Sequence, residues 1–93
     1  VIRTFKDRVT QAIAEGQSPE GFPKDLLKVA RRKLFMLDNA AEFDDLRSPP
    51  GNKLHPLKED RNGQHAIRIN DKYRLCFRWV GGNAEDVEIV DYH

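Results

Sequence analysis

The sequence predicts an α+β domain, with two to three helices packed on one face of an antiparallel β-meander. Three observations carry that expectation. The first half of the chain repeats apolar residues at helical spacing. The second half alternates apolar and polar residues with period two. Between them, Ser48-Pro49-Pro50-Gly51-Asn52 can form neither a helix interior nor a central strand. Helices first and strands afterwards is the order of an α+β sheet covered on one side.

The elements follow in chain order. Val1–Thr4 reads as a short strand. Thr4-Phe5-Lys6-Asp7 offers a capping hydroxyl with an acid three residues on, so Thr4 is expected to cap the first helix. Phe5, Val9, Ala12 and Ile13 recur at helical spacing, and Gly16 is a natural stop. Ser18–Pro23 is a loop. A second helix is expected from about Lys24 to Asp38, its apolar stripe made by Leu26, Ala30, Leu34 and Leu37 and widened by Leu27 and Val29. Lys28, Arg31 and Arg32 lie opposite, and Phe35 projects from the middle of that basic face, where a lone domain gains little from it. Ala41–Leu46 can add a further helical turn or two.

In the second half, His55 and Lys58 fall in a loop, Leu54-His55-Pro56-Leu57-Lys58. Gln64–Ile69 alternates, and Asn70-Asp71 is a turn signal. Tyr73–Val80 places Tyr73, Leu75, Phe77 and Trp79 on one face and Arg74, Cys76 and Arg78 on the other. Gly81-Gly82-Asn83 closes a hairpin, and Val87–Tyr92 is the last strand, with Val87 and Ile89 on one face.

Composition narrows the function classes. The chain has 93 residues, enough for one core, so 1–93 is expected to be a single domain. Its 39% hydrophobic and 33% charged residues are not the mixture of a disordered chain. A single cysteine, Cys76, excludes an internal disulfide framework and the common four-ligand zinc knuckles, and it suits a reducing cytosol. No apolar run reaches the ~20 residues of a membrane helix, and no basic-then-apolar start suggests a signal peptide. The chain starts at Val1, so an initiator Met is expected to be removed or to precede the numbered region.

Net charge is only +1, but its distribution is uneven. Residues 47–78 carry eight Lys/Arg against three acids, whereas residues 79–93 carry four acids and no Lys or Arg. A basic stretch beside an acidic end can be a polyanion footprint. It can equally be solvated charge along strands.

Sites with local signatures are missing. There is no glycine-rich phosphate loop, no His-Glu-x-x-His and no Gly-x-Ser-x-Gly. His55, His65, His93 and Asp91 share no ligand spacing, so no metal or cofactor is expected. Cys76 lies inside a strand and reads as packing. What remains is polar: His55 and Lys58, Arg74 in its strand, and Asp91-Tyr92-His93 at the end. If the last strand lies beside the Arg74 strand, these groups can approach one cavity; register decides, and the sequence leaves it open.

The chain resembles the HigB toxins of the RelE/ParE superfamily, small toxins of bacterial type II toxin–antitoxin systems. The resemblance runs from Ile2-Arg3-Thr4-Phe5 through Arg32-Lys33-Leu34 with Leu37-Asp38, and Arg47-Ser48-Pro49-Pro50-Gly51-Asn52-Lys53-Leu54. It continues in Leu57, Gly63-Gln64-His65, Ile67-Arg68-Ile69-Asn70, Tyr73-Arg74-Leu75-Cys76-Phe77 and Val87-Glu88-Ile89-Val90-Asp91-Tyr92-His93. It implies the compact microbial-RNase-like fold and a ribosome-dependent endoribonuclease that cuts mRNA in the A site and stops growth. It also implies a helix-turn-helix antitoxin of the HigA kind as partner, with operator DNA reached only through that antitoxin. The residues matching the family's active-site set are His55, Lys58, Arg74, Asp91, Tyr92 and His93.

The chemistry suits these residue types. Metal-free RNA cleavage needs a base for the 2′-OH, an acid for the departing 5′-oxygen, and cations for the phosphoryl charge. Histidine serves either proton role because its unperturbed pKa is ~6.5. Asp91 or His93 is expected as base and His55 or His93 as acid. Lys53, Arg61, Arg68, Lys72 and Arg78 are candidates for phosphate contacts to RNA and the ribosome, and Lys28, Arg31, Arg32 and Phe35 for a protein partner. Two other readings fit the same fold: a ParE-like gyrase poison and a non-enzymatic binding module.

Overall fold

β3 (Tyr73–Val80) and β4 (Asn83–Asp91) form the long hairpin on which the rest is built. The computed structural model describes residues 1–91. Gly81 and Gly82 make the turn with φ of +57° and +82°, the left-handed pair that a two-residue hairpin needs and that side chains with a Cβ resist. β2 (His65–Arg68) pairs antiparallel with β3, and β1 (His55–Pro56) with β2, so the sheet order among the described residues is β1-β2-β3-β4. Asn70 sets the β2–β3 turn: its Oδ1 accepts from the N–H groups of Lys72 and Tyr73 at 3.0 and 2.7 Å.

The expected meander is therefore present, with two changes. His55 lies on an edge strand rather than in a loop, because residues 55–56 add to the free side of β2. The last strand begins at Asn83, four residues before the expected Val87.

A β-bulge explains how the N-terminus attaches. The β3–β4 register shifts between Cys76 and Arg78, where Asp86 and Val87 oppose Phe77, and Asp86 has φ +52°. The N-terminal segment lies parallel to β4 there, through isolated bridges Ile2↔Ala84 and Phe5↔Val87 rather than a full strand. Between those bridges the Thr4 hydroxyl accepts from the Asp86 N–H at 2.8 Å. Thr4 is thus engaged by the bulge and does not cap the first helix. Asp7 does, its carboxylate accepting from the Thr10 N–H at 3.1 Å, and α1 runs Arg8–Ala14.

This later start changes the buried face of α1. Thr10 and Ile13 are buried and Val9 is exposed, contrary to the expected stripe. Thr10 then bonds the sheet, its hydroxyl accepting from the Ile89 N–H at 2.9 Å.

α2 (Leu27–Asn39) follows a single 3-10 turn at Lys24–Leu26 and buries Leu27, Ala30, Leu34 and Leu37 as its spacing predicts. Lys33 is buried with them, which the pattern did not indicate. Arg31 reaches back to α1: its guanidinium donates to the carbonyls of Ile13 at 3.3 Å and Gln17 at 2.7 Å, filling acceptors at that helix end. The further turn after α2 is a 3-10 helix at Phe43–Arg47, closed by a reciprocal Glu42/Asp45 capping box. No helix among the described residues is long and apolar enough to cross a membrane.

The core lies between the helices and one face of the sheet: Ile13, Leu34, Leu37 and Leu46 against Ile67, Leu75, Phe77 and Val87. The other face holds a small cluster of Leu57, Ala66 and Cys76, with Val90 against it. The molecule thus places both helices on one side of the sheet and leaves the opposite side uncovered by helices.

His65 sits at the margin of the core. Its ring lies edge-on to Phe43, centroids 4.7 Å apart, and its Nδ1 is buried with no hydrogen-bond partner among the described residues. Burial, followed by the nearby His55 and Arg47 charges, holds its pKa below the ordinary 6.5. A histidine with a lowered folded pKa binds its proton better unfolded. Its contribution is therefore intact above about pH 6.5 and is lost as pH falls through the folded value. We expect parental protein to lose more unfolding free energy than His65→Phe between roughly pH 7.5 and 5.5, measured by urea titration. Equal losses would show that His65 protonation does not weaken the fold.

Candidate functional site

Register builds a polar row on the face away from the helices. Ala66 pairs with both His55 and Cys76, and Cys76 pairs with Glu88. Directly opposed residues share a face, so His55, Ala66, Cys76 and Glu88 cross the sheet in line. The next row toward the sheet end is Arg68, Arg74 and Val90. The apolar cluster of Leu57, Ala66, Cys76 and Val90 floors this surface.

His55 is held at one edge. Its Nδ1 lies 2.7 Å from the Lys53 carbonyl oxygen. A carbonyl only accepts, so Nδ1 carries the proton and Nε2 is the nitrogen left for exchange. Lys58 precedes the 3-10 turn Glu59–Arg61 and is exposed.

Arg61 folds from that turn over the sheet, donating to Glu88 Oε1 at 3.0 Å and to Gln64 Oε1 at 3.2 Å. Both partners of the Arg61–Glu88 pair are mostly covered. Sequence reasoning overlooked Glu88. The alternation Val87-Glu88-Ile89-Val90 contained the signal, since a strand that buries Val87 and Ile89 must turn Glu88 to the other face.

Arg74 is half-buried, and its guanidinium donates to the carbonyls of Asn70 and Tyr73, the latter at 3.1 Å. Its register partner is Val90; Asp91 stands opposite Tyr73. By alternation Asp91 follows Ile89 onto the helix-side face, at the very end of the sheet, where Lys72 Nζ approaches its carboxylate at 3.6 Å. The pairing brings Asp91 and Arg74 to one end of the sheet in adjacent positions, not into one row. Tyr92 and His93 lie outside the described residues.

The expected phosphate-binding cations divide. Arg61, Arg68, Lys72 and Arg78 have carboxylate partners in Glu88, Asp71, Asp91 and Asp86. The Arg68 guanidinium holds the Asp71 carboxyl below its ordinary value, first through their hydrogen bond and then through charge. Lys53 is exposed, at φ 48° and ψ 49°, the left-handed region.

On the opposite side of the molecule, Ile2, Phe5, Leu34 and Phe35 line a groove of about 570 Å³ with Lys28, Arg31, Arg32 and Asp38 at its margin. Phe35 is 70% exposed, as its position in the basic face implied.

An antiparallel meander with helices packed on one face is the fold of the small RelE-like toxins. Two solved structures share it: the YoeB–YefM complex from Staphylococcus aureus (TM-score 0.62, 17% identity, 100% of this chain and 98% of that one) and YafQ from E. coli (0.56, 17%, 98% and 91%). Residues 3–93 match the model of the RelE-like toxin of type II toxin-antitoxin system HigB, and the chain belongs to that family. It is 38% identical to Toxin HigB-1 of Vibrio cholerae over 81 residues, covering 86% of this chain and 85% of that protein. It is 30% identical to Endoribonuclease HigB of Proteus vulgaris over 93 residues, the whole of both chains.

Cys76 lies within the polar row, buried as part of its apolar floor. Burial pushes its thiol up to about 11, so the thiolate is scarce at neutral pH. Iodoacetamide should leave Cys76 unmodified in native protein at neutral pH and label it fully in urea, as read by intact mass. Rapid native labelling would mean that the floor of the site opens.

Proposed function

We propose that this chain is a ribosome-dependent endoribonuclease that cleaves mRNA in the ribosomal A site and thereby arrests translation and growth. A helix-turn-helix antitoxin of the HigA kind neutralises it. The carrying observation is the end-to-end similarity to a protein named Endoribonuclease HigB, in a chain whose open sheet face presents His55 with Nε2 available. A cytoplasmic site of action follows from the ribosome as partner.

The reaction needs no group beyond side chains. A base removes the 2′-OH proton, the 2′-oxygen attacks phosphorus, the P–O5′ bond breaks, and an acid protonates the departing O5′. The products are a 2′,3′-cyclic phosphate, or the 3′-phosphate from its hydrolysis, and a 5′-OH. Asp91 or His93 serves as base and His55 or His93 as acid. Arg74 offers a planar fork to the phosphoryl oxygens and Lys58 a point charge, while Tyr92 stacks on a base. Lys53, Arg61, Arg68, Lys72 and Arg78 meet phosphates of mRNA and ribosomal RNA, the ion-paired ones by exchanging a carboxylate for a phosphate.

Primer extension with and without translation tests the activity, since a ribosome-dependent enzyme cuts only translated codons. Asp91→Ala, His93→Ala or loss of Tyr92-His93 should abolish cleavage and growth arrest, because removing a proton-transfer residue costs ~10²–10⁴ in rate. Circular dichroism should stay native, with Val87 and Ile89 still packed on the core. A folded variant that still arrests growth at the parental level sinks the assignment, and 5′-phosphate ends would point to metal-activated water instead.

The antitoxin is assigned to the groove beside Phe35. An apolar side chain of the partner fills the space between Phe35, Leu34, Ile2 and Phe5, and its carboxylates meet Lys28 and Arg32, with Arg31 at the same margin. Phe35→Ala should weaken binding roughly tenfold or more, the equivalent of ~1.4 kcal/mol, with little change in melting temperature. Unchanged affinity by calorimetry would move the interface elsewhere.

A further inference from the structure

Lys33 has no part in the chemistry above, yet it is 6% exposed in the middle of α2. Its ammonium donates to Asn52 Oδ1 at 2.5 Å, and no carboxylate pairs with it among the described residues. Burial, then the charges of Arg32 and Arg68, hold its pKa below the ordinary lysine range. A buried ammonium matched only to a neutral amide is less favourable for stability than an apolar side chain of similar volume.

Asn52 is fully buried and joins α2 to the following loop. Its Nδ2 donates to the carbonyls of Leu46 at 3.0 Å and Ser48 at 3.3 Å, and its N–H bonds the Pro49 carbonyl at 2.9 Å. With Asn52 pinned, Lys53 is held in the left-handed region, its N–H on the Pro50 carbonyl at 3.1 Å. The carbonyl of Lys53 is the one that receives His55 Nδ1. An unbroken series of short contacts therefore runs from a helix buried on one side of the sheet to an imidazole on the other.

We propose that the Lys33–Asn52 pair is a positioning device for His55: it holds the Lys53 carbonyl where it fixes the ring's tautomer. The value of that tautomer rests on the RNase reading above, but the tautomer itself is measurable without RNA. Free histidine prefers its neutral proton on Nε2, so a protein that holds it on Nδ1 has a distinct ring ¹⁵N signature.

Lys33→Met removes the ammonium and keeps the stem; Lys33→Arg restores a cationic donor. Long-range ¹H–¹⁵N spectra of purified, ¹⁵N-labelled protein, with His55→Gln to assign the ring, read the tautomer directly. Parental protein and Lys33→Arg should show Nδ1–H at His55, and folded Lys33→Met should shift toward Nε2–H. Codon-associated cleavage should fall about tenfold to a hundredfold in Lys33→Met, the scale of a misplacement near ~1 Å, and recover in Lys33→Arg. Parental His55 signals in folded Lys33→Met overturn the proposal, as does unfolding of both variants, which would make the pair a folding requirement only. A tautomer change in a protein that never cuts mRNA would support the positioning and defeat the RNase reading instead.

Discussion

The alternation of β3 is the constraint from which the rest follows. Leu75 and Phe77 are wholly buried under the helices, so Arg74, Cys76 and Arg78 must face the other way. Cys76 is small and apolar enough to floor the open surface, and the flanking arginines make its rim. Hydrophobic burial of one face at ~25 cal/mol/Å² thereby fixes the register of every strand beside it. A slip of one residue would put Leu75 and Phe77 in water and the guanidinium groups in the core.

The open face is less electropositive than a count of its cations suggests. Glu88, Asp71 and Asp86 each meet an arginine there, and Asp91 meets Lys72 at the sheet end. These contacts are partly exposed and individually weak, so they preorganise side chains more than they stabilise the fold. On the proposed RNase reading, a phosphate chain arriving at such a surface would replace carboxylates already in place, and its affinity would be governed by that exchange as well as by counterion release.

Elements that depend on local pattern were legible in the sequence. α2, the Gly81-Gly82 hairpin, the Asn70 turn and both faces of β3 follow from spacing and turn chemistry. The exposure of Phe35 followed from the same helical phase. What escaped depends on partners distant in sequence. Thr4 carries a good capping hydroxyl, but the bulge at Asp86 claims it, and the cap passes to Asp7. Lys33 reads as one more solvated cation until Asn52 arrives beside it. His55 becomes a strand residue only because β2 has a free edge, and while alternation gives the face of Glu88, its alignment with Cys76 and its pairing with Arg61 come from a register that no single strand encodes. Of the terminal triplet, Asp91 is placed opposite Tyr73, a position that alternation within β4 alone could not supply.

The bulge in β4 also sets an order of events. Thr4 meets Asp86 and Thr10 meets Ile89 across 82 and 79 positions of sequence. Contacts that distant carry a large loop-closure cost and make folding slow to nucleate. None of them can form while the chain is still being elongated toward residue 86. During synthesis α1 therefore has no sheet to dock on, β3 lacks its outer neighbour, and the polar row stands incomplete. The ribosome that makes this chain has therefore read the messenger past the codon for Ile89 before the folded surface exists.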